Sequence, residues 1–449
     1  MPGAAPALHR TLGPAGVLLL TLSALSPVGS VYITGAGVLH LAGSGAALAF
    51  IAGGVISAIM ALLYAELGAA FPGAGGIYAS LARILGPSGA FPCIALQMVT
   101  GAPMMAFTAM GLADYVRVLA PGAPYMAITL GTLALACGIG MLKIRTSALI
   151  TGLFLVVEGV ALAVVTAVAL LHPARSLSHV IAHPVYVAHG ALVPVPWAAL
   201  GLSVVAGVYA TAGANWALFF AEEMPDAQRR MGRVTAWAGV VASVTIAVPM
   251  VLIVMSAADL KTMLSSEAPI AAFLSATGGH AAAVFVSVGV IAAIFNNQVA
   301  LGMALARFMF ATGRDGIWPG AVNRAFARLH TGWRSPVQAT ILLGAVSALA
   351  VLLGERVLLI IISGNVFEYL LMGFAVLAGR RAGTTGRWFR IALHPAVPVL
   401  AFVVVAALIL ADWMDEDAGR PSIVLLSGVF LASLAYCRVR LRGRVIEWS

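Results

Sequence analysis

The chain has 449 residues, 61% of them hydrophobic and 9% charged, with a mean hydropathy of +1.03 and a formal net charge of +9. No soluble globular domain carries that balance, so most of the mass must lie in a lipid bilayer. The positive charge does not indicate a nucleic-acid partner, because the basic residues fall in short clusters between apolar runs.

Apolar runs bounded by Gly, Pro and charge predict twelve spans, near 15–39, 44–70, 87–117, 123–142, 146–171, 195–221, 233–257, 280–311, 336–353, 356–379, 393–411 and 421–437. The eleven later spans argue that the first is retained and is not a cleaved signal segment. Around them lie a short N-terminal segment (1–14), a loop (172–194) and a C-terminal tail (438–449). With the N-terminus inside, 20 Lys and Arg fall on the cytoplasmic side and 5 outside, namely Arg117, Arg175, Lys261, Arg356 and Arg420. That asymmetry predicts two cytoplasmic termini.

Span one reads Ser26-Pro27-Val28-Gly29-Ser30 at its centre. Proline removes a donor and glycine loosens the backbone, so a helix breaks there. Alone, this is compatible with a simple proline kink. Span six is loose at the matching place, from Gly207 through Tyr209, Ala210 and Thr211 to Gly213. Paired breaks make each one half of a substrate site. Spans one to five (15–171) and six to ten (195–379) then form two repeats. Five spans per repeat invert the second copy, and spans eleven and twelve (380–437) lie outside.

Charge within a span is a functional signal by default, because a carboxyl at the bilayer centre costs about 2.5–3.5 kcal/mol on insertion scales. Glu158 falls in the middle of span five and Glu368 in the middle of span ten. Either serves a function or is a neutral acid bonded to a neighbouring helix. Glu368 is a candidate for substrate selectivity. At the span ends, Glu222 and Glu223 read as loop charges beside Arg229, Arg230 and Arg233, or as gate residues. Glu66 reads as a structural hydrogen-bonding group or a gate partner.

The three cysteines (Cys93, Cys137 and Cys437) give no disulfide framework. His172, His179, His183 and His189 share the loop before span six, but no acidic or thiol ligand accompanies them, so no metal is expected. No phosphate loop, zinc-hydrolase motif or nucleophile elbow is visible, and neither an enzyme nor a cofactor is expected.

Three stretches carry a family resemblance. The first is Tyr64-Ala65-Glu66-Leu67-Gly68 with Phe71-Pro72-Gly73-Ala74-Gly75-Gly76-Ile77-Tyr78 and Gly86-Pro87. The second runs from Tyr209 to Asn215, followed by Ala221-Glu222-Glu223-Met224-Pro225. The third is Asn296-Asn297, then Ala306-Arg307 and Ala311-Thr312-Gly313-Arg314-Asp315-Gly316 on to Ser335-Pro336-Val337. In order and correctly spaced, they resemble the amino acid–polyamine–organocation (APC) superfamily of permeases over about the first ten spans.

The resemblance implies an all-α polytopic membrane protein of twelve helices with a five-plus-five inverted repeat, the LeuT-like or APC fold. It also implies secondary transport of an amino acid by alternating access across a plasma membrane, by a monomer or dimer. Such a substrate lays its carboxylate on free N–H groups at the span-one break, which comprises Ser26, Pro27 (itself without an N–H), Val28, Gly29 and Ser30. Its ammonium meets carbonyls at the span-six break (Tyr209, Ala210, Thr211, Gly213). Side-chain selectivity falls to Gln97 and Thr100, Asn215 and Trp216, and Asn297, each of which also suits a plain helix–helix hydrogen bond. The chain departs from the family in having Val31 after Gly29-Ser30, and Ala214-Asn215 where many members carry an aromatic–acidic pair.

In several proton-dependent members a span-five lysine contacts span one, and Glu158 falls on its position. The carboxyl is expected to carry the coupling proton. Neutral, it would donate to open carbonyls near Ser26–Gly29; charged, it would repel them. Proton symport is the leading expectation, with amino acid exchange or a non-transporting sensor of the same fold as alternatives.

Overall fold

The computed structural model describes residues 8–363, 366–440, 446 and 448. Residues 1–7 of the N-terminal segment, and Arg442 and Arg444 of the tail, lie outside the described residues.

Among the described residues, nine stretches are long and apolar enough to cross a bilayer. The first, Pro14–Ala70, holds spans one and two, and the shorter apolar helices Tyr125–Gly140 and Val337–Leu353 complete twelve. What connects them is mostly short helix. A hairpin, β1 (Val185–Ala188) with β2 (Ala191–Pro194), lies in the loop before span six, with Tyr186 opposite Val193. The protein is an all-α polytopic membrane protein.

One end of the bundle carries the hairpin and the short helices Leu260–Ser265 and Pro269–Thr277. The other, basic end carries the helix Ile77–Leu85 between spans two and three, and the arginines of the span six–seven and ten–eleven connections. Leu12, Tyr78, Phe219, Phe308 and Phe326 belong to a core at the basic end. Leu39, Phe50, Met250 and Phe273 belong to a second core towards the hairpin. The polar site lies between them.

Span two (Ala46–Ala70) is wedged against spans six and seven by small residues. A Cβ on Gly53 would meet the Gly207 carbonyl carbon at 2.4 Å, and one on Gly207 would meet the Ala49 carbonyl oxygen at 2.5 Å. The two backbones therefore touch, as small residues permit in membranes. Ser57 Oγ donates to the Val208 carbonyl at 3.0 Å, and Ser243 Oγ on span seven donates to the Gly54 carbonyl at 2.9 Å.

This crossing yields a stability test. Gly53→Val is expected to force spans two and six apart and to destabilise the protein by about 1–3 kcal/mol, the usual scale of overpacking. Gly131→Ala on span four, with nothing within 4 Å of its new Cβ, should not lower stability. Thermal unfolding of the two variants in detergent measures the difference; equal melting temperatures would refute the backbone crossing.

Candidate functional site

Span one runs as Pro14–Leu25, Pro27–Gly29, a π-helical turn Ser30–Thr34, and Gly35–Ala42. The chain turns at Ser26, which is left-handed at φ 52°. Pro27 has no N–H to continue the ladder, so a new helix begins there. Ser26 caps it: its Oγ accepts from Gly29 N–H at 3.2 Å, and its carbonyl accepts from Ser30 N–H at 2.9 Å. The remaining early donor, Val28 N–H, bonds to Glu158 Oε1 at 2.9 Å. Ser26 Oγ donates to the same oxygen at 3.1 Å.

Glu158 is 1% exposed and comes from span five (Ile144–Leu171). It faces N–H and O–H donors, not the open carbonyls expected from the sequence. The physical reason is polarity: beyond the break the chain restarts as a helix, and the first turn of a helix offers donors. The carboxyl thus occupies an anion position at a half-helix N-terminus. The N–H groups expected to receive a substrate carboxylate are already bonded within the protein.

Span eight (His280–Arg314) supplies two asparagines to the same break. Asn297 Nδ2 donates to the Ala24 carbonyl at 2.5 Å, and Asn296 Nδ2 donates to Ser23 Oγ at 3.0 Å. The Asn296 side chain also faces the Glu158 carboxyl. Glu158 Oε2 and Asn296 Oδ1 are buried acceptors that receive no donor among the described residues.

Span six consists of Trp197–Thr211 and a 3-10 segment Ala214–Glu223. Ala212 still donates back to the Val208 carbonyl, at 2.8 Å, but Gly213 N–H makes no such bond to Tyr209. Gly213 sits at φ 145°, a conformation that favours glycine, and a Cβ there would lie 2.7 Å from Leu25 Cδ1. The two breaks therefore touch at Leu25 and Gly213.

A cavity of 420 Å³ lies between them. Its walls are Ser26, Gly29 and Ser30 of span one, Tyr209, Ala210 and Trp216 of span six, and Asn297 of span eight. Span three adds a face not anticipated from the sequence: Met104, Thr108, Gly111 and Tyr115. Their spacing of three and four residues is a helix stripe, the signal that would have found them. Asp114 and Glu355 complete the wall towards the hairpin end. Tyr209 is held from span eleven, its hydroxyl donating to Asp412 Oδ2 at 2.9 Å.

Several candidates lie off this cavity. Pro27 and Val28 are buried behind it, where Val28 contributes its N–H to Glu158. Thr211 Oγ1 turns to span two and bonds Ser57 Oγ at 2.8 Å. Asn215 does not line the cavity. Gln97 lines a separate 180 Å³ cavity with Leu305, Phe308 and Leu343. It stands eleven residues before Thr108, about 16 Å along the helix. Thr100 bonds its own helix at the Leu96 carbonyl, 2.9 Å away. Glu368 accepts from Tyr64 Oη of span two at 3.1 Å, is 4% exposed and lines no part of the cavity, so it has no direct hold on a substrate there. The His179 and His183 rings are 5.4 Å apart, and among the described residues no group of three metal-ligating side chains forms.

The basic end is shut by buried ion pairs. Glu223 and Arg307 are joined at 2.6 and 3.1 Å, both nearly inaccessible, and Arg307 lies 5.2 Å over the Phe220 ring. Glu222 joins Arg314 at 2.8 and 2.5 Å and accepts from Ala74 N–H at 2.9 Å. Glu66 pairs with Arg380 and accepts from Thr385 Oγ1 and Ile391 N–H, each at 3.0 Å. The reading of Glu222 and Glu223 as loop charges is thereby corrected. Their partners are span-eight arginines, because the 3-10 half of span six packs along span eight and carries both carboxylates inward.

A helical bundle whose two broken helices wall a central cavity is the architecture of a membrane carrier. The chain belongs to the amino acid permease family, whose model matches residues 12–430. It is similar to the human Asc-type amino acid transporter 1, 25% identical over 493 residues covering 100% of this chain and 88% of that one. The mouse and rat Asc-type amino acid transporters 1 are 24% identical over 465 residues, covering 93% of this chain and 81% of each. The protein is thus a member of a transporter family, not of an enzyme family.

The breaks can be tested directly. Gly213→Leu, which forces both φ and the Leu25 contact, and Gly29→Leu, which intrudes on the Ser26 cap, are expected to abolish binding of labelled amino acids while the protein still inserts. Unchanged affinity in both variants would move the site elsewhere.

Proposed function

We propose that the protein is a proton-coupled amino acid transporter working by alternating access between the two broken helices. The family, the similarity to amino acid transporters and the cavity between the breaks support the transport reading. The observation that carries the coupling is the Glu158 carboxyl, bonded through one oxygen to Val28 N–H and Ser26 Oγ, while the other oxygen and Asn296 Oδ1 receive no donor among the described residues.

Charged, Glu158 holds the start of the second half-helix and keeps Ser26 and Val28 engaged. A proton removes the charge that strengthens those bonds. It also supplies a donor where two buried acceptors have none. The freed Ser26 hydroxyl, which lines the cavity, then turns to the substrate carboxylate, so proton and substrate load together. The ammonium faces the end of the first half of span six, where the Tyr209 carbonyl lacks the Gly213 N–H. The cavity reaches towards the hairpin end while the ion pairs close the basic end. With the basic end cytoplasmic, this is a carrier open to the outside of a plasma membrane. Spans one to five and six to ten are the two inverted repeats that rock about the site.

The sign for pH follows from this arrangement. Wild-type uptake in proteoliposomes should rise as external pH falls, without need of sodium. Glu158→Gln, which keeps a hydrogen-bonding oxygen but cannot ionise, should lose pH dependence and concentrative uptake and retain substrate-for-substrate exchange. A mutant that keeps the wild-type pH profile and still accumulates substrate would show that the proton travels elsewhere. Wild-type exchange without any concentrative uptake would favour an obligate exchanger.

A further inference from the structure

A third cavity, of 640 Å³, opens at the basic end and shares no wall residue with the central one. Its walls come from separate parts of the chain. Arg10 belongs to the N-terminal segment, Phe71 to the turn after span two, and Arg83 to the helix Ile77–Leu85. Arg229 lies in the first turn of span seven and Trp388 between spans ten and eleven.

The charge balance in this cavity is one-sided. Of the two carboxylates at its wall, Glu222 is held by Arg314, and Asp226 lies 3.7 Å from Arg230. Among the described residues, no carboxylate comes within ion-pair distance of Arg10, Arg83 or Arg229. Among the described residues, Arg83 donates to the Trp448 carbonyl, at 3.0 Å. Two of the three guanidinium groups are oriented by rings: Arg83 lies 5.4 Å over Phe71, and Arg229 lies 5.6 Å over Trp388.

We infer that this cavity binds a phosphate group, presented by an anionic lipid headgroup or as free phosphate. Guanidinium forks match phosphate oxygens in pairs, which an ammonium does not. Basic pockets at the end of a bundle, with tryptophan at headgroup level, suit an anionic lipid. The position has a mechanical consequence. Arg10 is two residues before Leu12, whose N–H donates to the Glu223 carbonyl at 2.9 Å. A phosphate shared by Arg10, Arg83 and Arg229 ties the N-terminal segment and the start of span seven to the span two–three connection. It therefore favours the closed form of the basic end.

The test is lipid binding, which involves no amino acid and is independent of the transport reading. Purified full-length protein is offered phosphatidylglycerol or phosphatidylcholine in detergent, and adducts are counted by native mass spectrometry. Wild type should retain phosphatidylglycerol preferentially. Arg10→Gln, Arg83→Gln and Arg229→Gln should each weaken it about fivefold, the usual effect of one basic residue near an anionic surface. Arg356→Gln, at the hairpin end opposite Asp417, should not. Displacement by excess inorganic phosphate would show that either source fits; resistance to it would show that the lipid headgroup is the ligand. Equal retention of the two lipids by wild type, or undiminished phosphatidylglycerol binding in all three single variants, would overturn the assignment.

Discussion

A helix broken in mid-membrane exposes donors that lipid cannot satisfy, and each one left bare costs several kcal/mol. At Ser26–Ser30 this debt is met by the protein itself. Ser26 takes the Gly29 N–H, and Glu158 takes the Val28 N–H from another span. Asn297 answers the Ala24 carbonyl on the other side of the break. Spans one, five and eight are therefore joined by the requirement that a single interruption be satisfied. One of those partners, Glu158, is a nearly inaccessible carboxyl, a group whose charge a single proton would remove.

The rest of the bundle isolates this centre. Glycine contacts press span two onto span six, so the half of span six before Gly213 is backed by a close-packed wall. At the basic end, the Glu223–Arg307 pair is fully desolvated. A buried pair adds little net stability, but losing one partner leaves an expensive bare charge. Such pairs suit a gate: they hold one geometry firmly, and they release only when both partners are rehydrated together. Towards the hairpin end, the cavity wall runs out to Asp114 and Glu355.

Much of the fold was legible in the sequence because the bilayer enforces simple rules. Twelve apolar stretches, and the interruptions in spans one and six, follow from hydropathy, proline and glycine alone. Ser26, Gly29, Ser30, Tyr209, Ala210 and Asn297 do meet at one cavity. Gln97 and Glu368 do not, because a polar residue in a span shows only that it needs a partner. Glu368 finds Tyr64, and nothing in the spacing of residues 64 and 368 announces that contact.

What the sequence by itself determined is the class of molecule, the placement of its spans, and which two helices break, since each depends on local backbone chemistry or on burial in lipid. What only the tertiary structure decided is the polarity of the site and its closure. Whether Glu158 met carbonyls or N–H groups depended on which side of the Ser26 turn faced span five. Whether Glu222 and Glu223 were solvated or buried depended on how the second half of span six lay against span eight. Both are matters of how helices distant in the chain rotate and pack, and hydrophobic pattern constrains that weakly when nearly every face is apolar.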